Sequence, residues 1–238
     1  DYLFIDGQNG NNIARYSLEF TETAKTDITD SAGAISATGT FLWNFEGKSI
    51  KFLGRDWSIV KARTDGTGHA DVDLTLMGGA TKDVLNEGDT KTYTIGGKDY
   101  EVTLDFVGST TTKFTVNGEV TDSLQEGNTQ TLKDGTQIGI RDIISQEFAG
   151  GVRKTEFFLG ADKIRLHDTL SGSAAAGGEQ TLEVGTETVT GSKVTIVVGN
   201  TSTNSMTLSS IAINITADQD YYIPAGGKLT QKLRKPQA

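Results

Sequence analysis

The sequence contains no cysteine, only two prolines and only two histidines. The absence of cysteine excludes disulfides, although it does not by itself fix the cellular compartment. No apolar run approaches the ~20 residues that a membrane-spanning helix needs, so no transmembrane segment is predicted. Positive charge is also scarce, since 22 Lys and Arg stand against 31 Asp and Glu, for a formal net charge of −9. A chain with this balance and no basic stripe is a poor partner for nucleic acid.

The chain is instead rich in glycine, threonine and short alternations of apolar and polar residues. Its 238 residues include 29 glycines, and this length can bury a core in one large or two small domains. Apolar residues recur with a period of two, which puts them on one face of a strand, and no segment has a convincing period of 3.6. The sequence therefore predicts an all-β protein of antiparallel β-sandwich domains built from hairpins, with negligible helix.

The clearest hairpin lies between Glu87 and Val107 and turns at Gly96-Gly97. Two glycines can take the positive φ that a tight turn needs. The predicted buried face comprises Tyr93, Ile95, Tyr100, Val102, Leu104 and Phe106. Asn117-Gly118 predicts a second hairpin in the same way. Because Gly97-Lys98-Asp99-Tyr100 is echoed by Gly54-Arg55-Asp56-Trp57, one hairpin unit is expected to be reused.

Other segments indicate the core and the domain organisation. Trp43 and Trp57 lie in alternating patterns and are predicted to be core residues. The stretch from Thr21 to Thr40 is polar and rich in small residues, so it is expected to be a surface excursion. Ser171 to Gly178 is the most linker-like stretch. It predicts a boundary between a β-sandwich domain over residues 1–168 and a smaller C-terminal β domain over residues 179–238.

The chain opens with a short apolar run of four residues, Tyr2, Leu3, Phe4 and Ile5, followed by a polar loop rich in Asn and Gly. An apolar strand on such a loop can pair with its own sheet or with the sheet of a neighbouring subunit. Both readings stay open at this point. In the first the strand closes its own domain, and in the second residues 1–12 are exchanged between subunits and these four side chains drive assembly.

Catalytic chemistry has little support in the sequence. His69 lies in an acidic turn and His167 neighbours an aspartate, but neither has a serine or cysteine nucleophile in a recognisable motif. We therefore predict that the protein is not an enzyme and has no catalytic or cofactor-binding residues. Asp65, Asp71 and Asp73 supply the carboxylates that a calcium turn would need, so Ca²⁺ is the one candidate cofactor. The alternative is an acidic hairpin tip with a solvated strand face.

Two N-glycosylation sequons occur, at Asn200 and Asn214. Around the second, Ile211, Ile213 and Ile215 share one strand face, so Asn214 is predicted to point to the opposite face, where a glycan has room. A basic C-terminal group, which can be a frayed tail or a contact to an acidic patch of the next subunit, comprises Lys228, Lys232, Arg234 and Lys235.

Five segments of the sequence have a shared character: Asn12 to Thr21, Leu74 to Gly79, Leu85 to Val102, Asp134 to Ile140 and Phe157 to Ala161. They resemble segments of archaeal surface-layer (S-layer) proteins, and the resemblance fades after Ser171. It implies an extracellular, often glycosylated, β-rich protein that self-assembles into a lattice on the cell surface. Members of that family are generally longer, with further domains and a membrane anchor. The chain thus resembles a short, anchor-free member or a fragment, which can polymerise into a thread.

The sequence and this resemblance together predict an extracellular structural protein of the cell surface whose partners are further copies of itself and N-glycans. Subunits would join by edge-strand addition, with the strand from Tyr2 to Ile5 donated, or by flat contacts. One alternative is a filament or pilus subunit joined by donor-strand complementation. Another is a carbohydrate-binding or adhesion module, which exposed aromatic side chains on one flat face would support.

Overall fold

The computed structural model describes residues 2–6, 12–65, 71–79, 81–146, 148, 150–169, 180–202, 204–217 and 219–225. Twenty β-strands and no helix occur among these residues, so the predicted all-β class is confirmed. The strands are β1 Tyr2–Ile5, β2 Asn12–Thr29, β3 Phe41–Leu42, β4 Ser49–Phe52, β5 Arg55–Thr64, β6 Val72–Gly78, β7 Thr81–Asn86, β8 Thr90–Ile95, β9 Lys98–Val107, β10 Thr112–Val116, β11 Glu119–Val120, β12 Thr129–Thr131, β13 Gln137–Ser145, β14 Arg153–Leu159, β15 Asp162–Asp168, β16 Gln180–Val184, β17 Glu187–Thr188, β18 Ser192–Ser202, β19 Ser205–Thr216 and β20 Tyr221–Pro224.

A ten-stranded antiparallel sheet, which we call the outer unit, is built from two separate stretches of the chain. Its strand order is β17-β16-β15-β6-β5-β3-β2-β19-β18, with β4 paired to β5. The strands β2 to β6 and β15 to β19 thus share one sheet, although a long segment separates them in sequence. Their apolar side chains form one core, whose fully buried members include Ile28, Leu42, Phe52, Leu74, Leu166, Ile196 and Ile211.

The two ends of the outer sheet meet at a buried carboxylate. Strand β18 contacts β15 and β16 in addition to pairing with β19. Asp168 at the end of β15 is fully buried. Its Oδ2 accepts a hydrogen bond from the Ile196 amide of β18 at 2.7 Å, and its Oδ1 accepts one from the Gln180 side chain of β16 at 3.1 Å. A buried carboxylate costs free energy unless donors such as these bond to it. Through its two hydrogen bonds, Asp168 joins strands β15, β16 and β18.

The segment between β6 and β15 forms a second body, the inserted unit, which comprises β7 to β14. It is a sandwich in which the sheet β11-β10-β9-β8 packs on the sheet β12-β13-β14-β7. The Phe157 ring joins the two layers, with its centroid 5.0 Å from that of Phe114 and 5.8 Å from that of Tyr93. A small apolar cluster that includes Met77 of β6 and Phe158 of β14 lies where the two units meet.

Both predicted hairpins are present. In the central one, Ile95 pairs with Lys98, and Gly96 and Gly97 have φ of 59° and 80°. The second hairpin turns at Asn117-Gly118, with φ of 48° and 81°. These are the positive dihedrals that a two-residue type I′ turn requires, which explains why the turn residues located the hairpins correctly.

The prediction that Phe106 belongs to the buried face of the central hairpin is wrong, because its side chain is 44% exposed. The pairing of β9 with β10 shifts register beside it, because Lys113 pairs with Phe106 while Phe114 pairs with Leu104. The skipped residue, Asp105, is a β-bulge, and a bulge reverses the alternation of the side chains that follow it. Val107 is therefore fully buried in place of Phe106, whereas Tyr93, Tyr100, Val102 and Leu104 are buried as predicted.

Two further expectations for the outer unit are wrong. Trp43 is 51% exposed, whereas Trp57 is buried as predicted. Strand β3 ends at Leu42 and the chain turns at once, with the Phe45 amide donating to the Leu42 carbonyl at 3.0 Å, so no strand continues the alternation to Trp43.

The polar stretch after Thr21 is strand as far as Thr29, because its backbone pairs with β19 despite its polar side chains.

The domain division expected near residues 171–178 falls between strands of a single sheet. Residues 170–179 lie outside the described part of the chain. On one side of them β15 belongs to the outer sheet, and on the other side β16 pairs directly with β15 in the register Leu166 to Leu182. Among the described residues, the separate body is the inserted unit over residues 81–159.

Candidate functional site

The apolar run at the start of the sequence forms a two-stranded sheet with β20, and we call this pair the β1–β20 ribbon. Strand β1 runs antiparallel to β20, with Leu3 opposite Ile223 and Phe4 opposite Tyr222. The ribbon is hydrogen-bonded to no other described strand. The strand from Tyr2 to Ile5 therefore pairs within its own chain but outside the sheets of both units.

The ribbon carries exposed apolar side chains. Because side chains alternate, Phe4 and Tyr222 lie on one face, with ring centroids 4.8 Å apart, and Leu3, Ile5 and Tyr221 lie on the other. Tyr221 is buried, whereas Leu3 is 61% exposed, Phe4 43% and Tyr222 56%. The face that carries the Phe4–Tyr222 ring pair is thus an outward-facing aromatic surface.

A second candidate site is a cavity of about 280 Å³ between the outer and inserted units, which we call the junction cavity. The outer unit contributes Trp43, Glu46, Gly47 and Val60, and the inserted unit contributes Glu126, Arg141 and Asp142. The pairing of β13 with β14 skips Arg141, since Ile140 pairs with Phe157 and Asp142 with Glu156. Such a bulge can redirect a side chain, and here Arg141 lines the cavity.

Two ion pairs at the junction cavity each lie within one unit. Arg63 contacts Glu46 in the outer unit, and Arg141 contacts Glu156 in the inserted unit. Burial lowers the pKa of Arg63. Burial also raises the pKa of Glu126, although the Ile143 amide donates to Glu126 Oε1 at 2.9 Å and favours its ionised form. The junction cavity thus combines partly buried carboxylates and a guanidinium with the half-exposed indole of Trp43.

The guanidinium of Arg141 is not fully satisfied. Its Nη1 contacts Glu156 and lies 3.5 Å from Asp142 Oδ2, but its buried Nε has no hydrogen-bond partner among the described residues. A buried unpaired donor costs free energy. Arg141 therefore keeps one unpaired buried donor beside the junction cavity.

The three carboxylates of the calcium prediction are engaged by cationic or backbone groups. Arg165 binds Asp73 through two hydrogen bonds of 2.9 and 2.8 Å. His167 Nε2 lies 3.1 Å from Asp71 Oδ1, and Asp65 Oδ1 accepts from the Asp71 amide at 3.3 Å. Among the described residues no three His, Cys, Asp or Glu side chains group as metal ligands. His69 lies outside the described residues, and calcium at this turn stays a prediction.

The sequons have different positions. In β19, Ile211 and Ile213 are buried and Asn214 is half-buried between Lys193 of β18 and Arg15 of β2. The hydroxyl of Thr216, which belongs to this sequon, donates to the Gly191 carbonyl at 3.0 Å. Asn200 lies in β18, and its side chain is outside the described part of the structure. The basic C-terminal group from Lys228 to Lys235 also lies outside it.

Sequence reasoning identified β1 but neither its partner β20 nor the junction cavity. Tyr221 to Pro224 is a short apolar run, and its similarity to the run from Tyr2 to Ile5 was a usable signal. The cavity had no comparable signal, because the two groups of residues that line it are at least 66 positions apart (Val60 to Glu126) and come together only through the insertion.

Comparison with family models, curated proteins and solved structures finds no match for this chain. Among the described residues, no helix is long and apolar enough to cross a membrane.

Proposed function

We propose that the protein is an extracellular structural subunit that self-assembles through its β1–β20 ribbon into a cell-surface polymer, either a lattice or a filament. The observation that supports this proposal best is the exposed Phe4–Tyr222 ring pair on a sheet of only two strands. The function is assembly rather than turnover of a substrate.

An isolated two-stranded sheet is marginally stable in water, and further strands or a packed surface are needed to stabilise it. Its outer edges also present unpaired backbone groups that another chain can bind. Exposed apolar patches on a soluble domain commonly mark interaction surfaces. The resemblance to S-layer proteins is consistent with a partner that is a further copy of the same chain, and the net charge of −9 is consistent with assemblies that respond to cations.

The proposal predicts that the full chain forms particles much larger than its 25.4 kDa at high concentration. Sedimentation velocity and negative-stain electron microscopy, with and without Ca²⁺, measure this directly. Deleting residues 1–12 should leave soluble monomers that keep the strand content of the full chain by circular dichroism. A full chain that stays monomeric, or a truncated chain that still polymerises, refutes assembly through the ribbon.

A second candidate function, carbohydrate binding or adhesion, is favoured by the position of Trp43. Its half-exposed indole lines a cavity that also contains a guanidinium and carboxylates. Ligand sites typically combine an apolar surface with a few convergent polar groups. An aromatic face beside Arg141 and Asp142 suits a sugar ring, which stacks through its C–H face and hydrogen-bonds through its hydroxyls.

Tryptophan fluorescence tests this second function cleanly, because the chain has only two tryptophans and Trp57 is buried. Titration with a panel of neutral and acidic oligosaccharides should shift the emission of the wild-type chain and leave that of the Trp43→Phe variant unchanged. Equal shifts in both proteins, or no saturable shift at all, would rule out sugar binding at Trp43.

A further inference from the structure

The outer unit has a surface pit that is distinct from the junction cavity. It has a volume of about 140 Å³ and is lined by Tyr16, Leu53, Leu182, Ile213 and Ile215, with Arg15 also contributing. Leu182 and Ile213 are buried, while Arg15 is exposed. We call this feature the apolar pit. Its volume matches the ~150 Å³ of a dry apolar cavity that holds one benzene molecule, so it has room for one aromatic ring.

One wall of the pit is held in a strained conformation. Leu53 has a φ of 50° in the turn Leu53-Gly54 between β4 and β5. A leucine at positive φ is an outlier, because its Cβ crowds the following carbonyl oxygen, whereas Gly has no Cβ and Asn offsets this cost through local hydrogen bonds. Among the described residues, the two other turns with positive φ at both central positions have Gly96 and Asn117 at the first of them, with φ of 59° and 48°.

Folding alone therefore favours Gly or Asn at position 53, yet the chain has a leucine whose side chain is 44% exposed. Strain of this kind is concentrated at functional positions. The Leu53 amide is also fixed, since it donates to the Tyr16 hydroxyl at 3.1 Å. The backbone that carries this apolar wall is thus tied to Tyr16 of β2.

The same chain presents an aromatic ring of the right size. Phe4 and Tyr222 are both substantially exposed, so neither ring is seated in the pit of its own chain. If the Phe4 ring enters a pit, the Tyr222 ring, 4.8 Å away, lies at the rim and extends the apolar contact.

We propose that the apolar pit is the acceptor for the ribbon of a second copy, with Phe4 in the pit and Tyr222 at its rim. This inference rests on the proposed self-assembly and names the contact that carries it. The donor and acceptor are different surfaces, so a copy that donates its ring still has an open pit. Such head-to-tail contacts extend from copy to copy when the rotation does not close a ring.

Two single variants and one matched control test the contact in the full chain. Phe4→Thr removes the ring, and Leu53→Asn removes the pit wall. Phe106→Thr makes the same chemical change as Phe4→Thr at a side chain of equal exposure on the inserted unit, 44% against 43%. Leu53→Asn should have an unchanged or slightly higher Tm, because asparagine tolerates positive φ, so loss of assembly in it cannot come from unfolding.

Sedimentation velocity over a concentration series should show the association constant lowered about 10- to 100-fold in Phe4→Thr and Leu53→Asn, the range that burial of one phenylalanine provides, and unchanged in Phe106→Thr. An equimolar mixture of the two defective variants should form a complex of two chains and stop there. In this complex Phe4→Thr supplies only the pit and Leu53→Asn supplies only the Phe4 ring.

The failures are distinguishable. In one outcome, wild type and Leu53→Asn assemble equally well, Phe4→Thr does not assemble, and the mixture forms no two-chain complex. The pit is then not the acceptor, although assembly through the ribbon stands. If Phe4→Thr also assembles like wild type, the ring does not carry the contact. A wild-type chain that stays monomeric overturns both the contact and the proposed function.

Discussion

Removing the carboxylate of Asp168 should loosen the closure of the outer unit. In an Asp168→Ala variant the buried Ile196 amide loses an acceptor at 2.7 Å, and the Gln180 side chain loses one at 3.1 Å. A hydrogen bond to a charged group contributes about 1.5–3 kcal/mol, and a buried donor left unpaired costs about 1–3 kcal/mol. Gln180 is only half-buried and can bond to water, so we expect a total loss of about 3 kcal/mol.

For a chain of this length, a loss of about 3 kcal/mol lowers Tm by roughly 6–12 °C. Calorimetry measures this shift, and amide hydrogen exchange at Ile196 reports whether β18 opens locally. Asp162→Ala is the matched control on the same strand. Its carboxylate pairs with Arg55 at 2.7 Å, but both side chains are more than half exposed, so the loss should stay below about 1 kcal/mol. If the two alanine variants lose equal stability, Asp168 does not hold the sheet closed.

Three smaller changes test other parts of the fold. Gly97→Ala should cost about 1 kcal/mol in urea denaturation, because Gly97 has a φ of 80° while a Cβ there meets no atom within 4 Å; no loss would contradict the turn. Arg165→Met should lower the free energy of unfolding by about 1–2 kcal/mol, because it leaves the carboxylates of Asp73 and Glu183 without their partner. The loss is modest because the Arg165 side chain is 31% exposed. An unchanged stability would mean that the ion pairs of Arg165 with Asp73 and Glu183 are not stabilising. Burial raises the pKa of Glu126 in the folded state. Just above the unfolded pKa of about 4.3, the folded state therefore binds more protons than the unfolded state. The free energy of unfolding then falls as pH rises through that window. The stability of Glu126→Gln minus that of wild type should therefore be larger at pH 7 than at pH 3.5. The same difference at both pH values would contradict the raised pKa.

The sequence predicted local features well where the cause is local. Gly96-Gly97 and Asn117-Gly118 specify their turns through backbone dihedrals alone, and both hairpins are where those residues predict them. Phe106 was misassigned because a bulge at Asp105 reverses the alternation, and nothing in the sequence around it requires an extra residue there. A period of two holds only while pairing is regular.

The long-range arrangement depends on contacts that no local pattern encodes. Glycine-rich residues 171–178 are typical of a linker, yet β15 and β16 on either side of them pair with each other. The transition from β6 to β7, which does separate two bodies, takes only Gly79 and the residue after it. A short connection carries no compositional signal, so the insertion of residues 81–159 and the junction cavity that it creates could not be predicted.

The two proposed activities should be separable, because no described residue of the β1–β20 ribbon lines the junction cavity. Distant sites without shared partners contribute additively. Trp43→Phe should therefore leave the association constant of the chain unchanged, and Phe4→Thr should leave any sugar-dependent shift in Trp43 emission unchanged. The double variant should show the sum of both effects in the two assays. If Phe4→Thr weakens sugar binding, or Trp43→Phe weakens assembly, the cavity and the contact between copies are coupled. Assembly would then involve the junction of the two units as well as the ribbon, and docking of Phe4 in the apolar pit could not be the whole of the interface.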